Sequence, residues 1–276
     1  MEYGHAAWGL RELPLEEQLK LARAMNVHLL ELSIANYDRD FLQLDAGPSE
    51  IARVKELYAQ YDVRTDCGCT GNDFTSESVE AVRNSLDKVR RTIDIAAAAG
   101  IRVLRIFAGF SSDSVVYGAR FDRMIEALRL AADHAKGTGV RLSIETHGGV
   151  ASSGDAMYYA HSVTTRCDTM QTILEALPAE TVGMNFDPAN LAAVGEIAPE
   201  RWFPLFRNRI NLVHLKDFRD VPGGLEPVAC GEGRLDWKAL MAELRNYDGP
   251  ALIEYELPAD VEDGLRRSLR FLAENE

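Results

Sequence analysis

Short apolar segments alternate regularly with amphipathic segments along this chain. The apolar segments have the length of β-strands, and eight of them occur before the C-terminal region. Between them the apolar residues recur at the i, i+3, i+4 spacing of a helix with one buried face. The strand-like segments lie at residues 3–9, 28–34, 63–69, 102–109, 140–146, 181–187, 209–216 and 250–256.

The clearest helical segment covers residues 79–99. One face of this segment is apolar, and Gly100 follows at the position where a helix commonly ends in the left-handed conformation. The residues of that face are Val82, Leu86, Val89, Ile93 and Ala97. The same spacing predicts further helices over residues 15–25, 50–60, 121–136, 168–177, 236–246 and 261–274.

Eight strand–helix units match a single (β/α)8 TIM barrel, which typically needs about 250 residues. The alternative is an open, doubly wound sheet, but such a sheet normally carries a glycine-rich phosphate-binding turn after its first strand. The segment "YGHAAWG" is not a turn of that kind. No linker or low-complexity segment interrupts the pattern, so we expect one domain over residues 1–276.

Charge and composition exclude several classes of function. The formal net charge is −13 and the chain has no basic stripe, which argues against a nucleic-acid surface. Neither a secretory leader nor an apolar segment of about 20 residues is found, so we expect a cytoplasmic protein without a membrane anchor. The four cysteines are widely spread, and we expect them to be reduced thiols.

Four consecutive strand-like segments end in a polar, metal-ligating residue. These residues are Glu145, Asp187, His214 and Glu254. In a barrel the carboxyl ends of all strands meet at the face that carries the active site. Taken singly, each residue has an ordinary explanation as a helix cap, a core histidine or a solvated carboxylate. Together they would be costly to bury without a partner, and a divalent cation would offset that cost.

Several motifs resemble those of the xylose isomerase-like TIM-barrel superfamily, the sugar phosphate isomerase/epimerase family. The motifs are "SIETHGG", "NFDPAN", "VHLKD" and the closing stretch "GEGRLDWKALMAELRNYDGPALIEYE", and the resemblance covers essentially the whole chain. It implies a single-metal site formed by Glu145, Asp187, His214 and Glu254. It favours Mn²⁺ over Mg²⁺, Co²⁺ or Zn²⁺, and it implies a homodimer or homotetramer.

The resemblance also implies a reaction. Glu145 and Glu254 would be the acid/base pair, removing and returning a proton alpha to a carbonyl, and Asp187 and His214 would be ligands only. The product would be an isomer or epimer of a keto-sugar or related polyol, formed through a metal-stabilised enediolate. This chemistry is physically coherent because a cation beside the developing oxyanion lowers the barrier to proton abstraction.

Eight further residues near the strand ends are candidates for substrate binding. His147 is the best supported, because the Gly148–Gly149 pair leaves space for a ligand close to the backbone. Trp8 could equally pack in the core, and Lys216 could form a surface salt bridge with Asp217. The full set is His5, Trp8, Glu31, Arg105, Phe107, His147, Asn190 and Lys216.

Two positions depart from the sugar 3-epimerases of the superfamily. Asn190 stands where those enzymes carry a histidine, and Asp220 stands where they carry an arginine. These departures leave open a dehydratase or lyase acting by beta-elimination on a keto-sugar, keto-glycoside or keto-inositol.

Other readings of the same fold are less favoured. A non-catalytic barrel that binds a sugar or a partner subunit has no need for two carboxylates at a metal. The metal-dependent AP endonucleases of the superfamily use a trinuclear zinc cluster and a basic face, for which six histidines and an acidic chain are poorly suited. The segment "RWFPLF" (201–206) could be an interface patch or the start of a packed helix.

Overall fold

A closed barrel of eight parallel strands forms the centre of the molecule. The structure is a computed structural model that describes residues 1–153 and 156–276. The strands lie in the order β1-β12-β9-β8-β5-β4-β3-β2. His5 pairs with Leu30, next to β2, and this pairing closes the ring. The predicted (β/α)8 barrel is therefore confirmed. Its strands are β1 (Glu2–His5), β2 (Leu32–Ser33), β3 (Cys67–Cys69), β4 (Val103–Ile106), β5 (Arg141–Glu145), β8 (Val182–Phe186), β9 (Ile210–Leu215) and β12 (Pro250–Ile253).

Helices alternate with these strands, and the seven predicted from sequence occur with ends shifted by at most two residues. The longest begins at Ser78, whose side chain accepts a hydrogen bond from the Ala81 N–H, and ends at Gly100 with φ of 89°. The helices are α1 (Leu15–Ala24), α2 (Pro48–Gln60), α3 (Val79–Ala99), α4 (Ala119–Ala135), α5 (Cys167–Glu175), α6 (Pro188–Ala193), α7 (Trp202–Phe206), α8 (Trp237–Leu244) and α9 (Val261–Asn275).

Segment 201–206 forms a packed helix. Trp202, Phe203 and Phe206 are buried, and Leu205 is the exposed apolar side chain of α7. Because its aromatic residues lie in the core, this segment does not present the apolar patch considered as an interface.

Side chains of the barrel strands alternate strictly between two environments. On β5, Leu142 and Ile144 join the large core between the barrel and the helices, whereas Ser143 and Glu145 face the barrel interior. The interior itself contains a small apolar cluster contributed by five different strand segments: Ala6, Leu29, Cys67, Leu212 and Leu252. Two residues further along three of these segments the inward-facing side chain is polar: Glu31, His214 and Glu254. The candidate site begins at this level of the barrel.

Two β-hairpins extend the barrel at the carboxyl ends of β5 and β9. They form a second, antiparallel sheet in the order β10-β11-β7-β6, in which the two hairpins are joined through the Leu225–Met157 pair. We call this the accessory sheet; its strands are β6 (Gly149–Ser153), β7 (Ala156–Ala160), β10 (Asp217–Val221) and β11 (Gly224–Val228). The sequence analysis did not predict it.

Two simpler expectations can also be compared with the structure. Cys67, Cys69, Cys167 and Cys230 are free thiols, as predicted. Within residues 1–153 and 156–276, no helix combines the length and the apolar character needed to cross a membrane.

Candidate functional site

Four adjacent strands bring the predicted metal ligands together. Glu145 is the last residue of β5, Asp187 follows β8, His214 lies in β9, and Glu254 follows β12. Each of the four side chains is at least 96% buried. One ligand atom from each residue lies within 4.8 Å of the corresponding atom of every other. The structure therefore assembles the group predicted from the strand ends.

Distances within this group suit a shared cation. His214 Nδ1 lies 3.7 Å from Glu145 Oε1, 3.6 Å from Glu254 Oε2 and 4.0 Å from Asp187 Oδ2, all too long for hydrogen bonds. Ligand atoms bound to one ion at about 2.1 Å lie roughly 3–4 Å apart, so the observed spacing fits. Both ring nitrogens of His214 are buried without a hydrogen-bond partner, and Asp187 Oδ2 lies 3.1 Å from the Lys216 ammonium. A cation between the carboxylates would satisfy Nδ1, the His214 nitrogen that faces them.

Burial and charge act differently on the carboxylates of the group. Burial raises the pKa of Glu145, but the neighbouring His214 and Arg105 outweigh burial and lower that pKa to about 2. Burial raises the pKa of Asp187 to about 7, although Lys216 lies nearby. A cation would favour ionisation of Asp187, because it compensates the charge that burial disfavours.

Arg105 and Asn190 hold Glu145 from two sides. The Arg105 Nε lies 3.2 Å from Glu145 Oε2, and Asn190 Nδ2 donates to Glu145 Oε1 over 3.1 Å. The guanidinium also donates to the Thr70 carbonyl and stacks over the Phe107 ring at 4.4 Å. Arg105 and Asn190 were predicted to bind substrate; in the structure both contact the Glu145 carboxylate.

Lys216 is buried among carboxylates. Its Nζ lies 2.7 Å from Glu254 Oε2, 3.1 Å from Asp187 Oδ2 and 2.8 Å from Glu256 Oε1. The alternative of a surface salt bridge with Asp217 is wrong. Asp217 instead accepts hydrogen bonds from the Trp237 Nε1 at 2.6 Å and from backbone N–H groups of residues 233–235. It thereby anchors the loop that precedes α8.

His5 does not line the site, contrary to expectation. The next residue, Ala6, belongs to the interior cluster, and strand alternation places His5 on the opposite face, toward the helices. Its partner in the ladder, Leu30, likewise belongs to the core between barrel and helices. His5 is fully buried and neither ring nitrogen has a partner, and burial lowers its pKa to about 4.

Trp8 and Glu31 lie on the interior face of the first two strand segments. Trp8 is half-buried in a short 3-10 turn, with its ring centroid 5.3 Å from that of Tyr37. Glu31 is fully buried; its Oε2 accepts a hydrogen bond from the Ala7 N–H at 3.0 Å, and its Oε1 has no partner. Tyr37, whose ring packs against that of Trp8, is itself partly buried, and burial raises its pKa.

A continuous row of rings passes alongside the ligand group. The Phe107 and His147 centroids are 5.2 Å apart, those of His147 and Phe110 5.4 Å, those of His147 and Tyr159 6.4 Å, and those of Tyr159 and Phe218 5.3 Å. We call these five residues the aromatic row. His147 is fixed within it, because its backbone N–H donates to Thr164 Oγ1 and its Nδ1 lies 2.6 Å from the Gly148 carbonyl.

The sequence analysis missed several residues of the site. Glu256 lies two residues after Glu254, and Asn185 two residues before Asp187, so both share an inward face with a predicted ligand. Both side-chain polar atoms of Asn185 are buried without a partner. Extending the period of two beyond the strand ends would have identified these two. Tyr37 and Tyr159 lie in loop and hairpin segments and carried no such signal.

Comparison with known proteins gives consistent results. A family model described as xylose isomerase-like TIM barrel matches residues 19–275. L-ribulose-5-phosphate 3-epimerase UlaE of Salmonella typhi is 26% identical over 250 residues, which cover 86% of this chain and 81% of that relative.

Solved structures show the same fold. The 3-keto-D-glucoside 4-epimerase YcjR of E. coli superposes with a TM-score of 0.74 at 18% identity, covering 99% of each chain. The probable 3-DHS dehydratase AsbF of Bacillus anthracis superposes with a TM-score of 0.77 at 14% identity, also over 99% of each chain. At these identities, the likeness establishes a shared fold.

Proposed function

Because the chain belongs to the xylose isomerase-like TIM-barrel family, we propose that it is a metal-dependent epimerase or isomerase of a keto-sugar or related polyol. The observation that carries this proposal is the buried group of Glu145, Asp187, His214 and Glu254 at the carboxyl end of the barrel. Four carboxylates at the centre, Glu256 included, outnumber the two buried cations Arg105 and Lys216, and a divalent cation would balance the excess negative charge. Three oxygens and one nitrogen suit Mn²⁺, the ion that we favour, as well as Mg²⁺, Co²⁺ or Zn²⁺.

Two of the four ligands can also transfer protons. Glu145 and Glu254 lie on strands separated by those of Asp187 and His214, so their carboxylates approach the centre from opposite sides. Arg105 favours the ionised form of Glu145, and Lys216 does the same for Glu254, so both carboxylates can accept a proton. A divalent cation held by the group supplies an electrophile beside a substrate carbonyl and thereby acidifies the adjacent C–H.

The remaining candidates divide into two roles. Arg105, Asn190 and Lys216 position the carboxylates, because their polar contacts are with Glu145, Asp187, Glu254 and Glu256. Trp8, Phe107 and His147 offer ring surfaces for the C–H face of a sugar, and the unpartnered Oε1 of Glu31 offers an acceptor for a hydroxyl group.

Epimerisation is favoured over elimination because the curated relative is a 3-epimerase, and a single proton taken and returned at one carbon suffices for that reaction. The decisive experiment incubates the Mn²⁺-loaded protein with a panel of keto-sugars and cyclitols in D₂O and follows them by NMR. We expect deuterium at the carbon alpha to the carbonyl and the appearance of an epimer or isomer. Loss of water or of an aglycone would instead identify a dehydratase or lyase.

Glu145→Gln and Glu254→Gln test the assignment of the acid/base pair. Each substitution removes a proton acceptor, so the exchange rate should fall at least about 100-fold. Glu226→Gln, on the accessory sheet, is the matched control and should exchange like the wild-type protein. Metal content of each variant is measured by mass spectrometry, so that loss of the ion is distinguished from loss of the base. Absence of exchange on the whole panel by fully loaded wild-type protein would refute the proposed function.

A further inference from the structure

Resting on the proposed function, we infer that the substrate is an uncharged glycoside: a keto-sugar ring that carries an apolar or aromatic aglycone. Two independent features of the site support this inference. One is that the cations of the site are already neutralised, and the other is the length of the aromatic row. Both distinguish this site from one built for a free or phosphorylated monosaccharide.

The buried cations of the site are fully engaged. Lys216 contacts three carboxylates within 3.1 Å, and Arg105 pairs with Glu145 and donates to the Thr70 carbonyl. A phosphate group that bound at these two cations would have to break their pairs, leaving buried carboxylates without partners, which is strongly unfavourable.

The overall charge of the centre gives the same result. Glu145, Asp187, Glu254 and Glu256 carry four negative charges when ionised, and Lys216, Arg105 and one divalent ion balance them. No positive charge is left over for a phosphate dianion, and the buried Glu31 adds a further carboxylate to the interior face.

Arginines in the loops that follow the barrel strands are engaged as well. Arg166 pairs with Asp113, Arg219 with Glu226, and Arg234 with Asp220. Two others make backbone contacts: Arg11 donates to the Trp8 carbonyl while lying on that ring, and Arg120 donates to the Thr75 carbonyl and to Ser111. Phosphate recognition commonly uses an arginine or lysine, and each of these side chains already has a partner in the structure.

The aromatic row is longer than one sugar ring needs. Each end carries a site cation, Arg105 over Phe107 at 4.4 Å and Lys216 over Phe218 at 5.6 Å. Phe107 and Phe218 are buried, whereas the three rings between them, Phe110, His147 and Tyr159, are partly exposed. Their centroids are separated by 5.4 and 6.4 Å and their planes are inclined at 81° and 49°, so together they form a strip of contacting rings that presents both edges and faces.

A strip of this kind favours a ligand with more than one ring. One aromatic side chain stacks against one sugar face, and the sugar held at the ligand group would use only part of the strip. The remaining surface starts at the centre and continues onto β7 of the accessory sheet, where Tyr159 lies. An apolar aglycone attached to the sugar would cover that surface and remove it from water.

The test compares three ligands built on the same sugar, none of which carries the ketone, so that binding is measured without turnover. Isothermal titration calorimetry on Mg²⁺-loaded protein measures binding of methyl β-D-glucoside, 4-nitrophenyl β-D-glucoside, and glucose 6-phosphate. We expect the nitrophenyl glycoside to bind about 10-fold more tightly than the methyl glycoside and glucose 6-phosphate to bind most weakly. Equal affinities for the two glycosides, or tightest binding of the phosphate, would overturn the inference.

Two neighbouring tyrosines provide the matched variants. Tyr159→Ala should remove most of the advantage of the nitrophenyl group, whereas Tyr158→Ala, on the exposed face of the same strand, should retain it. Tyr159→Phe keeps the ring and should also keep the preference for the nitrophenyl glycoside. This variant shows whether the effect of Tyr159→Ala comes from loss of the ring. An unchanged preference in folded Tyr159→Ala would contradict the role of the row.

Failure of this inference can be told apart from failure of the proposed function. Deuterium exchange on free keto-sugars, with no gain in affinity from an aglycone, would support the epimerase activity and refute the glycoside substrate. A preference for aryl glycosides without any proton exchange would support glycoside binding and refute the epimerase activity.

Discussion

A single ammonium group links two of the proposed metal ligands to a third carboxylate. Lys216 contacts Asp187, Glu254 and Glu256 directly, and Glu256 lies two residues beyond Glu254 on the same inward face. A lysine this deeply buried stays charged only because several anions surround it, and burial alone would lower its pKa. The pairing therefore fixes both the charge of Lys216 and the orientation of the carboxylates around the centre.

His5→Leu is predicted to stabilise the protein and to leave activity unchanged. Both His5 ring nitrogens are buried without partners, so replacing the ring by an apolar side chain removes a cost of about 1 kcal/mol. Deuterium exchange should match that of the wild-type protein, because His5 faces the helices. Chemical denaturation and the exchange assay measure the two effects.

The pH dependence of stability provides a sharper check on His5. Its folded-state pKa is about 4 because of burial, and its pKa in the unfolded chain is about 6.5. Since the unfolded chain binds the proton first, His5 contributes a loss of stability as the pH falls from about 6.5 to 4. His5→Leu should remove that part of the dependence. Loss of deuterium exchange in His5→Leu would show that His5 takes part in the site. A lower free energy of unfolding would show that the His5 ring stabilises the fold.

At the level of strands, a site residue could be predicted where it ended a long apolar segment. Glu145, Asp187, His214 and Glu254 were found because they end four apolar runs that read clearly as strands. His5 was misplaced because it was judged by its nearness to the strand end, although the alternation of β1 puts Gly4 and Ala6 on the inner face. The correct face depends on register, which a four-residue strand specifies weakly when considered alone.

The accessory sheet could not have been predicted in the same way. Its strands are short, and β6 and β10 follow directly on motifs that already ended barrel strands. The two hairpins pair across about 70 residues of sequence through the Leu225–Met157 pair, and such a distant pairing leaves little local signal. Tyr159 and Phe218 consequently could not be assigned to the site from sequence.

Gly183→Ala is predicted to destabilise the barrel strongly. A β-carbon at this position of β8 would overlap the Arg209 carbonyl and the Asn211 side-chain oxygen. Asn211 is itself held in place, because its Nδ2 donates to the Leu142 carbonyl. Because a backbone group cannot move aside without disturbing the β8–β9 ladder, we expect a loss of at least about 2 kcal/mol in the free energy of unfolding.

Gly47→Ala is the control for the destabilisation expected of Gly183→Ala. Gly47 precedes α2, has φ of −94°, and a β-carbon there would meet only the far end of Glu50 at 3.8 Å. The cost should stay below about 1 kcal/mol. Urea denaturation measures the free energy of unfolding of both variants. Similar losses would show that the close contact at Gly183 is not the cause of the destabilisation.

For the molecule as a whole, metal binding and pH should be coupled. Burial raises the pKa of Asp187 to about 7 from its usual 3.8, so in the metal-free protein this group contributes a loss of stability as the pH rises from about 4 to 7. A metal ion binds the ionised carboxylate and should offset that loss. The rise in melting temperature on adding a fixed excess of Mn²⁺ should therefore be greater at pH 8 than at pH 5.5.

Asp187→Asn gives the comparison for this coupling. The variant cannot ionise at residue 187, so its response to Mn²⁺ should be small at both pH values. Differential scanning fluorimetry with and without a chelator measures all four conditions for each protein. An equal effect of Mn²⁺ on the wild-type protein at pH 5.5 and pH 8 would contradict an ion bound through Asp187.

The closure of the barrel has a consequence for how the molecule is made. β1 lies between β12 and the strand segment that contains Leu30, so one edge of the N-terminal strand stays open until residues 250–253 have been synthesised. An unpaired edge strand is a template for association with other chains. The sheet of the nascent chain therefore stays open until β12, the last of the eight barrel strands in sequence, has been made and pairs with β1.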